Sequence, residues 1–282
     1  MTKHTVGTVR ELWRYPVKSM RGERTSQLLI TQRGGLGDRA WALREVTSGR
    51  IASAKKYPRL LEFRATYVIE PTLESPGRAI IETPDGQTID VDDPDVSAYV
   101  SSIIGHPVRL ESQAGDHERT GIDRTTVFGD VPVSDLKPEW KPETMPDYFE
   151  LKPGSFFEIG AIYLLASGSV DYLRTLQGGS ARIDQRRFRP NIYIGSEPEW
   201  SGFVEDSWLG GTLAIGNTLT VDEFQPTLWC VTSTLAQEDL PRDLSVLRTT
   251  AVYHRGCLGV YGTVRSPGLV LVGDPVVLGK PN

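Results

Sequence analysis

The stretch Gln225-Pro-Thr-Leu-Trp-Cys-Val-Thr-Ser-Thr234 predicts a β-strand that begins at a turn marked by Pro226. Its hydrophobic and β-branched residues favour extended backbone. Because successive side chains of a strand point to opposite faces, we expect Cys230 and Thr232 on one face and Trp229 on the other. A thiol beside a hydroxyl at a strand end is either a soft metal ligand or a buried small hydrophobe, and this stretch leaves both interpretations open.

Length and composition describe an ordinary globular protein. The chain has 282 residues, of which 39% are hydrophobic and 24% are charged. This is enough for one large domain or two modest ones, each with a core. The formal net charge of −5 excludes a globally basic surface. We therefore expect no nucleic-acid partner, and an anion site would need cations gathered locally.

Cysteine and histidine usage argues against a disulfide framework and against a zinc site. The chain holds two cysteines, Cys230 and Cys257, and four scattered histidines, without a CxxC motif. The first residues lack the apolar run of a signal peptide, and no stretch approaches the length of a transmembrane helix. We therefore expect reduced thiols in a soluble, cytoplasmic protein without a membrane partner.

Short apolar or β-branched segments bounded by turn residues recur along the chain and predict strands. They cover residues 6–12, 28–30, 39–43, 51–54, 60–69, 79–83, 88–91, 161–166, 192–194, 213–215, 219–221, 254–261, 269–272 and 276–278. Helical periodicity is confined to residues 92–104, 170–177 and about 244–250. Many short strands with regular turns predict a mainly β fold built around a barrel.

Cations stand beside several of the predicted strands. Lys18 and Ser19 follow the turn at Pro16 and offer an ammonium and a hydroxyl to an oxyanion. Arg39 stands at the mouth of one strand, and Arg189 ends an arginine-rich run before another. A guanidinium is the side chain whose geometry best suits phosphate. A solvated surface turn remains the alternative interpretation of each cluster.

Several of these segments, taken together and in order, resemble the MOSC family, in which a MOSC domain follows a β-barrel partner domain. The stretches that carry the resemblance are Tyr15-Pro-Val-Lys-Ser19, Gly37-Asp-Arg-Ala-Trp41, Phe188-Arg-Pro-Asn191, Trp229-Cys-Val-Thr-Ser-Thr234, Leu258-Gly-Val-Tyr261 and Val272-Gly-Asp-Pro-Val276. The resemblance implies a mainly β (α+β) fold: a MOSC β-barrel with a few helices, plus an N-terminal β-barrel-like domain. It divides the chain into residues 5–112 and 113–280, with the early segments of Lys18 and Arg39 reaching the cofactor pocket.

The resemblance also implies a molybdenum cofactor (Mo-molybdopterin), a pterin that bears a dithiolene and a phosphate. In the family, the cysteine matched by Cys230 supplies a thiolate to the metal, so Cys230 is the expected metal ligand and catalytic residue. The residues implied to hold or line the cofactor are Lys18, Ser19, Arg39, Ile159, Gly160, Arg189, Asn191, Trp229 and Tyr261. Molybdenum prefers soft sulfur, and an anionic cofactor on an acidic chain needs local cations. Cys257 is expected to be a thiol of the core or of the pocket wall.

Trp229 departs from the pattern of the family, whose members commonly carry arginine before the ligand cysteine. Tryptophan removes a positive charge from the neighbourhood of the cofactor. It is expected to reshape the substrate mouth or to weaken cofactor binding, and Arg186 and Arg187 are the candidates for a compensating charge.

The resemblance implies an oxidoreductase of the amidoxime-reducing type, which reduces N-hydroxylated or N-oxygenated small molecules by oxygen-atom transfer. Since the sequence shows no flavin, haem or iron–sulfur motif, electrons are expected from a separate reductase protein. Two alternatives stay open. One is a sulfur carrier with a persulfide on Cys230. The other is a diverged MOSC protein recruited to a secondary-metabolic reaction without molybdenum, an alternative that Trp229 keeps open. The sequence leaves the oligomeric state undecided.

Overall fold

The computed structural model describes residues 2–112, 119–121, 148–151, 155–157, 159–179 and 182–280, of which 119–121 and 148–150 are described as backbone. The strands in the first part are β1 Thr2–Arg14, β2 Glu23–Thr25, β3 Gln27–Thr31, β4 Gly34–Gly35, β5 Trp41–Glu45, β6 Arg64–Ile69, β7 Arg78–Glu82, β8 Thr88–Asp90, β9 Val108–Ser112, β10 Arg119–Gly121 and β11 Tyr148–Glu150. The later strands are β12 Ile162–Ala166, β13 Ile192–Ser196, β14 Thr212–Ile215, β15 Leu219–Leu228, β16 Cys257–Ser266, β17 Gly268–Leu271 and β18 Pro275–Lys280.

Three α-helices occur in this part of the chain, and the predicted mainly β fold is confirmed. They are α1 Val96–Ile104, α2 Ser167–Leu176 and α3 Ser245–His254. Short 3-10 helices cover Pro58–Glu62, Gln185–Phe188, Val204–Trp208 and Val231–Thr234. None of the described helices combines the length and the apolar character needed to cross a bilayer.

Seven strands close into a barrel in the order β1, β13, β12, β16, β15, β14 and β18, with β18 pairing back to β1. Neighbouring strands are antiparallel except β12 and β13, which are parallel. Gly7 of β1 pairs with Ser196 on one side and with Val276 on the other. The first strand of the chain therefore belongs to a barrel whose other strands all come after residue 160. The division at 5–112 and 113–280 stays a prediction, and residue 113 lies outside the described residues.

The buried apolar residues form three main clusters. One fills the barrel, a second lies among the first strands and α1, and a third lies beneath α2 and α3. Representative members are Val6, Leu164, Trp208 and Val260 in the barrel; Val17, Leu43, Phe63 and Val100 in the second cluster; and Tyr163, Phe188, Trp229 and Leu247 in the third. Each fully buried side chain of this size contributes roughly 1.5–3 kcal/mol of transfer free energy. The third cluster matters most for function because it supports the walls of the cavity described below.

The strand predicted through residues 225–234 ends earlier than expected. β15 stops at Leu228, and the residues after Cys230 form a 3-10 turn instead. The hydroxyls of this segment explain the change, since Ser233 Oγ donates to the Cys230 carbonyl at 3.1 Å and Thr234 Oγ1 to the Val231 carbonyl at 2.7 Å. Such local bonds offer the backbone an alternative to a sheet ladder. Cys230 is therefore held at a strand end rather than inside a strand.

Two other predicted strands are shorter in the structure. In the 60–69 segment, Pro58 opens a 3-10 helix that runs to Glu62, so β6 begins only at Arg64. A proline at the start of a helical turn has its φ angle already set and lacks only an N–H that would be unpaired there. In the 51–54 segment, Ile51 alone makes a bridge, with Arg44.

Candidate active site

One cavity, of about 130 Å³, gathers residues from distant parts of the chain at the ends of several elements. Its lining includes the predicted residues Lys18, Ser19, Arg39, Ile159, Arg189, Trp229, Cys230 and Tyr261. It also includes residues that sequence reasoning missed, namely Ser53, Ala54, Lys55, Phe157, Tyr163, Phe188 and Thr232. We refer to this space as the inner cavity. Its polar residues are cations, hydroxyls and one thiol, and the rest of its wall is mostly aromatic.

Backbone strain concentrates at the inner cavity. Ser19, Arg39 and Arg189 have φ angles of 70°, 50° and 49°, in the left-handed region that side-chain-bearing residues rarely adopt. A conformation of this kind costs on the order of 1–3 kcal/mol per residue and persists where the surrounding structure imposes it. Three residues predicted to bind the cofactor thus share an unfavourable backbone conformation. This indicates that they have a functional rather than a stabilising role.

Arg39 is a buried cation that is paired with a buried carboxylate. Its guanidinium pairs with the carboxylate of Asp38, which is also buried and also accepts the N–H of Tyr15 at 2.9 Å. Its backbone N–H donates to the Tyr15 carbonyl at 2.7 Å, and its carbonyl accepts from Phe156 at 2.8 Å. These bonds fix the turn that leads into β5 and direct the side chain to the cavity.

Arg189 is the opposite case. Its side chain is also buried, with only 9% of the residue exposed, yet its Nη2 has no hydrogen-bond partner among the described residues. Burial, followed by the positive charge of Arg39, lowers the pKa of Arg189 to about 10. Asp38 acts on Arg189 only through space, and among the described residues no carboxylate forms an ion pair with it. A buried cation without an ion pair is costly to keep in a folded protein. The arrangement therefore fits an anionic group in the inner cavity.

Cys230 contributes its thiol to the same cavity and is partly exposed there. Its Sγ lies 3.3 Å from Thr232 Oγ1, so the predicted neighbourhood of thiol and hydroxyl is present although the strand is not. In the described part of the chain, no group of three or more His, Cys, Asp or Glu side chains is arranged to hold a metal ion. A metal bound at Cys230 would therefore need further ligands from a cofactor, as a dithiolene can supply.

The chain after Cys230 is held in place by Arg187. This fully buried guanidinium donates to the carbonyls of Arg182 at 2.7 Å, Leu235 at 3.0 Å and Pro241 at 2.7 Å. Arg186 points elsewhere and pairs with Asp184, Glu238 and Asp239. Neither arginine lines the inner cavity, so neither supplies the compensating charge that was suggested for the position of Trp229.

Trp229 forms part of the aromatic wall and is only 8% exposed. Its ring packs edge-on against Tyr163 and Phe188, with centroid distances of 5.6 and 5.1 Å. Its indole N–H donates to the Leu258 carbonyl at 2.9 Å. An apolar, hydrogen-bonded residue thus stands before the thiol, and the cations of the cavity come from Lys18, Arg39, Lys55 and Arg189.

The remaining predicted residues support the cavity in different ways. Lys18 Nζ donates to the Phe156 carbonyl at 2.9 Å. Gly160 has a φ angle of 71°, and a Cβ added there would lie 2.7 Å from the Cβ of Tyr261, so only glycine lets this turn approach that ring. Asn191 is fully buried outside the lining.

The side-chain amide of Asn191 forms hydrogen bonds with backbone groups. Its Oδ1 accepts the N–H of Tyr163 at 3.2 Å, and its Nδ2 donates to the Trp13 carbonyl at 3.4 Å. These contacts tie β1 to β12 directly behind the cavity. A contact between Asn191 and a cofactor stays a prediction.

Comparisons with known proteins agree with this architecture. The family model for the MOSC N-terminal beta barrel domain matches residues 6–103, and the model for the MOSC domain matches residues 154–277. Mitochondrial amidoxime reducing component 2 of Bos taurus is 26% identical over 96% of this chain and 83% of its own length. Mitochondrial amidoxime-reducing component 1 of Homo sapiens is 24% identical over 97% of this chain and 83% of its own.

Among solved structures, the YUAD protein from Bacillus subtilis is 10% identical and aligns over 100% of this chain and 99% of its own, with a TM-score of 0.48. The matches to the two family models, in order and over most of the chain, identify the protein as a member of the MOSC family, with a MOSC domain that follows a MOSC N-terminal β-barrel domain.

Proposed function

We propose that this chain is an oxidoreductase that binds a molybdenum cofactor and reduces N-hydroxylated or N-oxygenated small molecules. The observation that carries the proposal is that the thiol of Cys230 shares the inner cavity with Arg189, a buried guanidinium whose Nη2 has no partner among the described residues. The thiol suits a soft metal, and the unpaired cation suits the phosphate of a pterin cofactor. The MOSC family and the names of the amidoxime-reducing relatives support the same class of reaction.

The residues present fit such a cofactor. Cys230 would supply the sulfur ligand, Arg189, Arg39 and Lys18 the positive charge, and Ser19 a hydroxyl. At about 130 Å³, the enclosed part of the cavity suits a portion of a pterin-sized group, and the rest would extend into its open mouth. When bound, the cofactor supplies the redox centre at which the oxygen of the substrate is removed.

The residues of the chain bind and orient these groups. The rings of Tyr15 and Phe157 pack on the guanidinium of Arg39, with Cζ-to-centroid distances of 4.5 and 4.3 Å, and hold it without competing for its donors. The aromatic wall excludes water, which strengthens every charged contact inside.

Reduction of an amidoxime to an amidine and water consumes two electrons and two protons. We propose that the electrons come from a separate redox protein. A cytoplasmic location stays our prediction, whereas the names of the relatives place those proteins in mitochondria.

The test is elemental and pterin analysis of protein made in a host that synthesises the cofactor. We expect bound molybdenum and pterin in the native chain, and loss of molybdenum in Cys230→Ala. Cys257→Ala is the matched control, since Cys257 does not line the inner cavity, and it should retain the metal. Reduction of an amidoxime with an artificial electron donor should follow the metal content.

Two results would contradict the proposal. Native protein without molybdenum from such a host would exclude the reductase, and full metal content in Cys230→Ala would exclude the ligand role. A metal-free protein that carries the mass of one extra sulfur atom on Cys230 would instead support the sulfur-carrier alternative.

A further inference from the structure

A second and larger cavity, of about 510 Å³, adjoins the inner cavity. Its lining consists of Lys55, Pro58, Arg59, Glu62, Val231, Leu235, Ala236, Gln237, Glu238 and Arg242, and we call it the outer groove. Lys55 lines both spaces. Val231, on the wall of the groove, follows Cys230 directly in the chain. The two spaces therefore meet beside the candidate metal ligand.

The floor of the outer groove is apolar. Val231 and Leu235 pack with Ala54 and Leu61 in one buried cluster. Ala236 is exposed within the groove and leaves room above this floor because its side chain is a single methyl. Val231 and Leu235 are themselves only 3% and 5% exposed, so the apolar surface that a ligand could take out of water comes from the exposed Pro58 and Ala236 and from the aliphatic part of Arg59.

Arg59, Glu62 and Glu238 on the rim of the outer groove take part in ion pairs. Arg59 Nε lies 3.3 Å from the carboxylate of Glu62. The carboxylate of Glu238 binds Arg186 at 2.6 Å, Arg21 at 3.2 Å and also Arg64. This is the opposite of the inner cavity, where Arg189 has an unused donor. The unused donor of Arg189 suits an anion in the inner cavity, whereas the ion pairs at the outer groove suit an uncharged ligand.

We propose that the outer groove binds the uncharged, apolar body of the substrate, so that an aryl or alkyl N-hydroxylated compound lies in the groove with its N–O group directed past Lys55 into the inner cavity. This inference rests on the proposed function. The volume of the groove lies within the roughly 300–1,000 Å³ typical of sites for drug-sized ligands. Specificity then lies in the apolar body of the substrate, while the inner cavity, where Cys230 would hold the cofactor, receives the N–O group that all substrates share.

The experiment measures binding of benzamidoxime and of acetamidoxime to the purified full chain by calorimetry. Ala236→Trp fills the groove with a large ring and leaves the residues of the inner cavity unchanged. Ala214→Trp, at an exposed position of β14, is the matched control. We expect the native protein to bind benzamidoxime about 10-fold or more tightly than acetamidoxime, because a phenyl ring buries more apolar surface than a methyl group. Ala236→Trp should abolish this preference, and Ala214→Trp should keep it.

The outcomes separate this inference from the proposed function. If Ala236→Trp binds benzamidoxime as tightly as the native protein, or if native protein shows no preference for the aromatic compound, the groove is not the substrate site. If protein made in a host that synthesises the cofactor contains no molybdenum, yet shows the preference and loses it in Ala236→Trp, the groove is confirmed as a binding site while the molybdenum reductase is excluded. In molybdenum-loaded protein, Ala236→Trp should raise the KM for benzamidoxime and leave the KM for acetamidoxime unchanged. This result would support both the groove as the substrate site and the proposed reductase.

Discussion

Arg39 and Arg189 place their guanidinium groups over the same aromatic ring, that of Tyr15, with Cζ-to-centroid distances of 4.5 and 4.2 Å. One of these cations is paired with Asp38, whereas the other has a donor without a partner among the described residues. Arg39 therefore stabilises the fold through its ion pair, whereas the buried charge of Arg189 lowers the stability of the fold. Natural proteins retain such costly groups mainly where function requires them.

The first prediction concerns the stability of cofactor-free protein. Arg189→Met should raise the free energy of unfolding by about 1–2 kcal/mol, because it removes a buried charge that has no ion pair among the described residues. Arg39→Met should lower it by about 3 kcal/mol or more, because it leaves the buried Asp38 without its cation. Methionine keeps a Cβ, so the backbone strain at both positions is unchanged. Urea unfolding checks the pair, and a shift of the same sign in both variants would contradict the assignment.

The second prediction is a pH dependence. Because the pKa of Arg189 is lowered to about 10 in the folded protein, the folded state loses this proton at a lower pH than the unfolded chain does. The cost of the buried charge is therefore fully present below the folded pKa and falls as the pH rises above it. The stability gained by Arg189→Met should be constant between about pH 7 and 9 and should shrink toward about pH 11. A gain independent of pH in urea titrations across this range would show that the charge is not its cause.

The third prediction tests Trp229, at whose position the family resemblance led us to expect arginine. Trp229→Arg should cost about 3–5 kcal/mol, because it removes the contacts with Tyr163 and Phe188 and places a charge in an apolar wall. Trp229→Phe is the control: it keeps an apolar ring but loses the bond to the Leu258 carbonyl and some packed volume, at a smaller cost of about 1–2 kcal/mol. Thermal unfolding of the two variants distinguishes the effects. Equal stability of the Trp229→Arg and Trp229→Phe variants would contradict this prediction. It would mean that the arginine side chain finds room and solvation that the present packing does not provide.

The fourth prediction concerns the turn at Gly160. Gly160→Ala should destabilise the protein through a strained φ angle and through a clash with Tyr261. Gly178→Ala is the matched control, since Gly178 has a similar φ of 78° and no atoms within 4 Å of an added Cβ. The control should cost about 1 kcal/mol, and Gly160→Ala about 1–3 kcal/mol more. If both variants unfold at the same denaturant concentration, a methyl group at position 160 does not clash with Tyr261, and the prediction is wrong.

The fifth prediction concerns Arg187 as a positioning residue. Arg187→Met removes the donors that hold the carbonyls of Arg182, Leu235 and Pro241, and should cost about 2–4 kcal/mol. In a Cys257→Ser background, the thiol of Cys230 should also react faster with a disulfide reagent, because the segment after it is released. Arg265→Met, at an exposed ion pair, is the control and should change neither property. An unchanged reaction rate in Arg187→Met would show that this arginine does not position Cys230.

Local pattern in the sequence was sufficient for the type of many elements, but not of all: the strand predicted over 254–261 begins only at Cys257, because α3 extends to His254. The alternation in residues 6–12 and 276–278 and the helical periodicity in 92–104 depend on neighbours within a few positions, and the structure confirms them as β1, β18 and α1. The cations beside strand ends were visible for the same reason. Pro58 and the hydroxyls of Ser233 and Thr234 are local signals too, but they favour 3-10 turns over strand pairing. The predicted strand boundaries in the 60–69 and 225–234 segments were therefore wrong.

Tertiary structure alone decided which of these residues meet and which are paired. Arg39 and Arg189 are far apart in the chain, and only the closure of the barrel around β1 brings both to Tyr15. The same closure gives the ion pair with Asp38 to Arg39 alone of the two arginines. It also commits the amide of Asn191 to the backbone and adds Ser53–Lys55 to the wall beside Cys230. The physical reason is that hydrogen bonds and charge pairs act over a few ångströms in space, and distance along the chain does not determine distance in the fold.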